Sequence, residues 1–280
     1  MKIAILGGTF NPIHNGHLAM ARAVLKYLKP DKILFVPCYL PYHKLASSNR
    51  DKCGKTAKEL APAQHRLAMI KLAIKNNPRF AVLDIDIKVR RPTYSINTII
   101  KLKNIYPKDT KFYFIIGADS FMDIHKWRRI KVLINLVDFV VVARPGYPIS
   151  RMKKAMRFSD PVIRTPAVCP PQGEALWGSE ITAGYSWLQL LPLRRDAASR
   201  TQRNRQPNYK IMAHYIAKPK VDVSSTGIRR EIAANKSIKN LVPPQVKSYI
   251  YGHNLYKDLY SGSLTPLFLQ KGRGNYTPAV

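Results

Sequence analysis

The sequence predicts an α/β fold built on a doubly wound parallel sheet, and two observations predict it. Short apolar runs recur along the chain without polar alternation, as in strands that are buried on both faces. Segments with the helical spacing of apolar residues separate these runs, so strands and helices alternate. Ligands bind such sheets beyond the carboxyl ends of the strands, where we therefore expect a site.

The first eighteen residues join a strand, a glycine turn and the start of a helix. Residues 3–6 form the apolar run, and Gly7 and Gly8 let the backbone turn tightly and approach a ligand. The helical pattern opens at His14 and His17, which share a face near the helix start. Free backbone N–H groups and the positive helix end would meet there, beside two imidazole donors. This arrangement predicts a phosphate site.

The next elements continue the alternation as far as residue 144. A polar loop, residues 38–60, is long enough to be functional rather than a simple connection. On either side of it, the patterns predict strands over 32–37, 80–87, 111–117 and 138–143, and helices over 62–77, 96–100 and 127–136.

A second junction between a strand and a helix lies near the end of the fold. Residues 208–216 resume the strand pattern, and residues 221–223 lead into the run Ser224-Ser225-Thr226-Gly227-Ile228-Arg229-Arg230. Ser224 or Ser225 suits a helix N-cap, while free N–H groups and Arg229 suit phosphate oxygens. A last helix is predicted from residue 243.

Residues 159–207 differ in composition from the rest of the chain. This stretch has no lysine but six arginines, whereas its flanks are rich in lysine. It shows no clean period, which predicts an irregular insertion in a surface connection, since loop-closure entropy grows slowly with length. A specialised lid is the alternative. We therefore expect one domain over residues 1–256, interrupted by this insertion, and a disordered tail over 257–280.

Composition limits the kind of protein. The formal net charge is +31, which fits either a polyanionic partner or a compositional bias combined with a nucleotide substrate. We favour the second, because no patch interleaves aromatic and basic residues as an RNA surface would. Three cysteines without a C-x-x-C spacing support neither a disulfide framework nor a zinc site. The sequence contains no apolar run of membrane-spanning length, so we expect a cytoplasmic protein without a membrane partner.

Taken together, these motifs resemble the nucleotidyltransferase superfamily with the H-x-G-H signature, and within it the bacterial nicotinate-nucleotide adenylyltransferase family. The resemblance covers residues 1–158 and 208–256. It rests on Gly7–Leu18, Pro41–Lys44, Arg66 with Met69, residues 94–98, Gly117–Ser120, Trp127, Arg144–Gly146, Ser224–Arg230 and residues 241–256.

The resemblance implies a Rossmann-like nucleotidyltransferase fold and transfer of AMP from ATP to nicotinate mononucleotide, with Mg²⁺. The acceptor's own phosphate would attack, so no protein nucleophile is needed and catalysis reduces to positioning and charge stabilisation. Mg²⁺ would come with ATP, because the sequence offers no dedicated ligand set. A homo-oligomer is compatible with the resemblance.

The resemblance also implies roles for individual residues, divided between the nucleotide and the acceptor. His14, His17 and Arg229 would be catalytic, with His17 nearer the α-phosphate. The expected ATP-binding residues are Gly7, Gly8, Thr9, Lys44, Asp119, Ser224, Ser225 and Thr226, where Asp119 accepts from a ribose hydroxyl. The expected acceptor-binding residues are Ser95, Trp127, Arg128 and Arg144, where Trp127 stacks on the pyridine ring and N–H groups near Ser95 and Arg128 bind its carboxylate.

Structural explanations remain open for several of these residues. Trp127 could belong to the core, Asp119 could cap a helix, Lys44 could be solvated, and Arg144 could be structural. The functional rivals are a related adenylyltransferase with nicotinamide mononucleotide or phosphopantetheine as acceptor, and an inactive, basic nucleic-acid-binding relic.

Overall fold

The computed structural model describes residues 1–41, 59–147, 163–164, 185–190, 211–219 and 222–257. Its centre is a sheet in the order β3-β2-β1-β4-β5-β8-β7-β6, in which the first six strands are parallel and the last two antiparallel. The strands are β1 Lys2–Gly8, β2 Lys32–Pro37, β3 Phe80–Val82, β4 Lys111–Gly117, β5 Asp138–Val142, β6 Ile163–Arg164, β7 Tyr185–Leu190 and β8 Ile211–Ile216.

The described helices connect these strands and cover both faces of the sheet. They are α1 Asn15–Leu28, α2 Ala63–Ile74, α3 Ile85–Lys88, α4 Ser95–Ile105, α5 Ala118–Phe121, α6 Ile130–Leu133, α7 Ser225–Ala233 and α8 Pro244–Gly252, with a 3₁₀ turn at Ile124–Lys126. The doubly wound parallel fold is thereby confirmed. None of the helices in the described ranges is long and apolar enough to cross a membrane.

The apolar run of β1 is explained by two hydrophobic clusters, one on each face of the sheet. Ala4 and Leu6 contribute to the cluster beneath α1, α2, α7 and α8. Ile3 and Ile5 contribute to the opposite cluster, beneath α4 and the segment after β4. Because successive side chains of a strand point to opposite faces, a central strand needs apolar residues at every position.

Two predicted elements differ from the structure. The strand predicted over 80–87 ends at Val82, and residues 85–88 form the short helix α3, which brings Asp86 into a buried position. Alternation over a few residues cannot distinguish a strand from a short buried helix. The helix predicted over 127–136 is reduced to α6, because Arg129 adopts a left-handed conformation with φ 52° just before it.

The stretch 159–207 contributes two described strands, although its sequence has no clean period. β7 pairs with β8 along residues 185–190 and 211–216, and β6 pairs with β7. The division into a 1–256 domain with an insertion stays a prediction. The predicted disordered tail lies outside the described residues, apart from Lys257.

Candidate active site

A cleft of about 770 Å³ opens beyond the carboxyl ends of β1, β2, β4 and β5. This is the edge of a parallel sheet at which ligands bind. Most of the predicted site residues line it: Gly7, Gly8, Thr9, His14, His17, Ser95, Asp119, Trp127, Arg128 and Arg144.

The two histidines form a single stacked unit at the start of α1. Their ring centroids lie 3.7 Å apart, and the backbone N–H of His14 donates to Nδ1 of His17 over 3.3 Å. Because Nδ1 of His17 accepts this hydrogen bond, the proton of its neutral ring resides on Nε2. His17 is therefore a donor without being charged.

Both histidines are held in the neutral form. Burial and, second, the positive charge of Arg144 lower the pKa of His14 to about 3. Burial, then His14 and then Arg144 lower the pKa of His17 well below its ordinary value. At neutral pH the pair therefore offers hydrogen-bond donors to an anion rather than fixed positive charge, and a bound phosphate would favour protonation of both rings.

Gly16 is required by the histidine pair. A Cβ at this position would lie 2.9 Å from Nδ1 of His14 and 3.5 Å from the carbonyl oxygen of Val223. The first of these distances is shorter than the sum of the van der Waals radii, so any side chain would displace the His14 ring. The glycine of the H-x-G-H signature thus makes room for the first histidine.

Asp119 and Arg144 form an ion pair at the mouths of the neighbouring strands β4 and β5. Their side chains remain partly exposed to the cleft, at 27 % and 36 % for the carboxylate and the guanidinium respectively. The family resemblance implies separate roles, with Asp119 on a ribose and Arg144 on the acceptor. In the structure the two side chains form an ion pair with each other, and both also line the cleft.

The aromatic end of the cleft lies around Trp127 and Tyr94. Trp127 packs edge-on against Phe114, with ring centroids 5.7 Å apart, and also lines the cleft, so it serves the core and the site together. The guanidinium of Arg128 lies 4.7 Å from the centre of the Tyr94 ring and donates to its hydroxyl over 3.3 Å. Ser95 begins α4 beside them, and the N–H groups at the start of a helix are donors for a carboxylate.

Asp86 is a cleft residue that sequence reasoning missed. It is buried, and its Oδ2 accepts from Oγ1 of Thr98 over 2.7 Å. Burial raises the pKa of Asp86, against the opposing effect of the threonine hydroxyls of Thr98 and Thr93. The signal in the sequence was a carboxylate within the apolar run 83–87, but the strand interpretation obscured it.

Arg66 holds the two loops that form one wall of the cleft. It is fully buried, and its guanidinium donates to four backbone carbonyls. The acceptors are Ala61 at 3.0 Å and Thr9, Cys38 and Tyr39, each at 2.7 Å. The sequence singled out Arg66 as part of a motif without giving it a role. In the structure, Arg66 connects the segments that follow β1 and β2 through these hydrogen bonds.

The junction at residues 224–229 lies behind the histidine loop rather than in the cleft. The Ser224 hydroxyl caps α7 by accepting from the Gly227 N–H, and the Ser225 hydroxyl donates to the Pro12 carbonyl over 2.9 Å. Arg229 is only 3 % exposed and donates to the Asn11 carbonyl over 3.0 Å and to Glu59 over 2.6 Å.

The predicted contacts of this junction with phosphate stay a prediction. Ser224, Ser225, Thr226 and Arg229 are absent from the described lining of the cleft, which Val223 reaches instead. Thr226 lies 3.5 Å from the Arg229 guanidinium. Lys44, the remaining predicted ATP ligand, lies outside the described residues.

A metal site built by the protein does not fit the described part of the cleft. No group of three His, Cys, Asp or Glu side chains converges within the described ranges. The nearby carboxylates are committed to other partners, Asp119 to Arg144, Asp123 to Lys126 and Asp86 to Thr98. A divalent ion would therefore have to bring most of its ligands with it, as it does when bound to a nucleotide's phosphates.

The fold and the cleft define a nucleotidyltransferase, and residues 5–231 match the cytidylyltransferase-like family. Probable nicotinate-nucleotide adenylyltransferases of Syntrophotalea carbinolica and Geotalea daltonii are 35 % and 34 % identical to this chain. Each alignment covers 92 % of this chain, together with 98 % and 99 % of the respective relative. The chain belongs to the nicotinate-nucleotide adenylyltransferase family, as its motifs indicated.

Solved structures agree at the level of the fold. Plasmodium falciparum nicotinic acid mononucleotide adenylyltransferase complexed with APC superimposes with a TM-score of 0.55 at 18 % identity, over 91 % of this chain and 96 % of that one. The same enzyme complexed with NaAD gives a TM-score of 0.55 at 18 % identity, over 91 % and 97 % of the two chains.

Proposed function

We propose that this protein transfers the adenylyl group of ATP to nicotinate mononucleotide, giving nicotinate adenine dinucleotide and pyrophosphate. The observation that carries the proposal is the continuity of one cleft, which runs from the His14–His17 pair to the aromatic end at Trp127 and Tyr94. Such a cleft brings a nucleotide's phosphate and a pyridine ring to the same sheet edge. The expected location in the cytoplasm and a homo-oligomeric state accompany the proposal as expectations from the sequence.

The reaction requires no protein nucleophile. A phosphate oxygen of the acceptor attacks the α-phosphorus of ATP, a new P–O bond forms, and the bond to the bridging oxygen breaks so that pyrophosphate leaves. The Nε2–H of His17 donates to a non-bridging oxygen of the α-phosphate, where negative charge needs stabilisation. His14, stacked against it, donates beside it. The arriving phosphate raises the pKa of both imidazoles, because a nearby negative charge favours their protonated form.

The acceptor occupies the aromatic end. Trp127 stacks on the pyridine ring, and the first-turn N–H groups of α4 near Ser95, with Arg128, receive its carboxylate. Asp119 accepts from a ribose hydroxyl while keeping its ion pair with Arg144. Gly7, Gly8 and Thr9 bring backbone close to the nucleotide at the end of β1.

The triphosphate tail extends towards Lys44 and the 224–229 junction. For Arg229 to bind a β- or γ-phosphate, its guanidinium must exchange the carboxylate of Glu59 for the phosphate. Both partners are anions that accept two hydrogen bonds from a guanidinium, so the exchange conserves the pairing of the buried charge. Mg²⁺, which the family resemblance implies, would be held by the phosphates of ATP and would offset their negative charge.

An adenylyl-transfer assay tests the proposal directly. Pyrophosphate release is measured with nicotinate mononucleotide, nicotinamide mononucleotide and phosphopantetheine as acceptors, in wild type, His17→Ala and the exposed control His125→Ala. We expect nicotinate mononucleotide to be preferred and His17→Ala to lose at least about a hundredfold in turnover, the effect of removing a donor to transition-state charge. The control should keep wild-type turnover.

Two outcomes contradict the proposal. A preference for phosphopantetheine would reassign the acceptor. Absence of pyrophosphate release, together with RNA binding that weakens steeply with salt, would make the protein a nucleic-acid-binding relic, for which the net charge of +31 is the supporting observation.

A further inference from the structure

A cluster of three rings joins α2 to α8 away from the cleft. His65 on α2 faces His253 at the end of α8, with ring centroids 5.2 Å apart and planes at 71°. Tyr249 lies between them in the network and stacks on His253 at 4.0 Å. None of the three residues is among those that line the cleft, so the proposed reaction leaves the cluster without a role.

Each histidine of the cluster has an oxygen next to its Nδ1, and for His253 this contact fixes the position of the imidazole proton. Nδ1 of His253 lies 2.9 Å from the backbone carbonyl oxygen of Tyr249, which can only accept, so this Nδ1 must carry the proton. Nδ1 of His65 lies 3.0 Å from the Tyr249 hydroxyl, an oxygen that can accept a hydrogen bond from Nδ1–H or donate one to a bare Nδ1. The lone pair of neutral His253 therefore resides on Nε2, and His65 presents the same lone pair in the tautomer that donates to Tyr249.

This pattern is the one found around metal ligands. A histidine that binds metal through one nitrogen usually donates its other N–H to a carbonyl or another oxygen, which orients the ring. Here a single tyrosine supplies both oxygens. Neither Nε2 has a hydrogen-bond partner in the parts of the chain that the structure describes.

The ring separation fits a shared ion. Two imidazoles bound through nitrogen at about 2 Å to one tetrahedral centre have ring centroids about 5 Å apart, and the observed separation is 5.2 Å. His65 is half-buried and His253 exposed, so solvent ions can reach the pair.

We propose that His65 and His253 bind one divalent transition-metal ion of the Zn²⁺ class through their Nε2 atoms. Imidazole nitrogen suits Zn²⁺, Ni²⁺ and Cu²⁺ rather than Mg²⁺. Because no third His, Cys, Asp or Glu joins them within the described residues, water completes the coordination. The ion connects α8 to α2 at His65, the residue that precedes Arg66. The site is independent of the proposed catalytic function.

Metal-dependent thermal unfolding of the full chain tests this site. We expect Zn²⁺ at about a hundredfold excess over its Kd to raise Tm by about 5 °C, and Mg²⁺ at the same concentration to leave it unchanged. His65→Gln and His253→Gln should each abolish the rise, and isothermal titration should show the loss of one bound Zn²⁺. Tyr249→Phe should weaken binding about tenfold, since it removes the partner of His65 Nδ1.

His125→Gln is the matched control, because His125 is exposed and lies outside this cluster. It should keep both the Tm rise and the bound ion. The Tm without metal and the adenylyl-transfer rate of each variant establish that it is folded. A wild-type protein whose Tm ignores Zn²⁺, or a rise that survives in both glutamine variants, overturns the proposal.

Discussion

Arg229 donates a hydrogen bond of 3.0 Å to the backbone carbonyl of Asn11, a residue 218 positions earlier in the chain. The same guanidinium binds Glu59, which lies near the end of the polar loop after β2. Three distant parts of the chain therefore meet at one buried charge. Through Asn11, this charge binds the loop that leads to His14 and the start of α1.

Arg229→Ala should destabilise the protein as well as slow it. The substitution removes the buried guanidinium that binds the Glu59 carboxylate and the Asn11 carbonyl, and breaking such a pair costs about 3 kcal/mol. Urea unfolding measures this loss, and the exposed neighbour Arg230 provides the control variant Arg230→Ala. If Arg229→Ala raised KM for ATP at unchanged stability, phosphate binding rather than loop support would be its whole role.

Arg66→Met should cost about 3 kcal/mol, because it preserves bulk but leaves four backbone carbonyls without a donor. Turnover should fall together with stability, since two of those carbonyls belong to Thr9 and Cys38 at the cleft. Lys71→Met, on the exposed side of the same helix, is the comparison. Equal unfolding midpoints for the two variants would show that the hydrogen bonds of Arg66 contribute nothing to stability.

Gly16→Ala should lower turnover at least tenfold. The new Cβ would lie 2.9 Å from Nδ1 of His14, so the His14–His17 stack has to shift, with a loss of stability of about 1–3 kcal/mol. Gly252→Ala is a strict control, because a Cβ there would meet nothing within 4 Å and α8 would gain a better helix former. Equal turnover in both variants would contradict the role given to Gly16.

Stability should fall as pH decreases below about 6.5. Burial lowers the pKa of His14 to about 3 and of His214 to about 4, whereas the unfolded histidine titrates near 6.5. Between those values the unfolded chain binds more protons, so each histidine removes up to about 1.4 kcal/mol per pH unit as pH falls. Above pH 7 their contribution is complete and constant.

Urea unfolding at pH 7, 6 and 5 measures this dependence. His214→Gln should give a shallower slope, by about 1 kcal/mol per pH unit, because glutamine does not titrate. A variant with the wild-type slope would show that His214 is not neutral in the folded state.

The sequence was sufficient where a local pattern determines local structure. The run before Gly7, the start of α1 at the histidines and the Ser224 cap of α7 were all predicted from neighbouring residues, and the structure has each of them. The family resemblance also predicted Trp127 and Asp119 as site residues, and both line the cleft. Their roles towards substrate stay predictions.

What could not be predicted depends on contacts between distant residues. Arg66 binds the carbonyl of Thr9, 57 positions away, and backbone acceptors leave no signal in side-chain identity. The pairing of Asp119 with Arg144 depends on β4 and β5 being neighbours in the sheet. Asp86 was misplaced because its alternating surroundings suit a strand, whereas burial of the carboxylate beside Thr98 accompanies a helical turn.

The position of β7 gives the stretch 159–207 a task unrelated to catalysis. β7 lies along the whole of β8, from residue 211 to 216, on the side opposite β5. In a chain without β7, β8 would be an exposed edge strand, and its unpaired N–H and C=O groups could pair with a strand of another molecule. A variant that lacks residues 159–207 should therefore be tested for self-association as well as for turnover, because it could aggregate even if its active site still works.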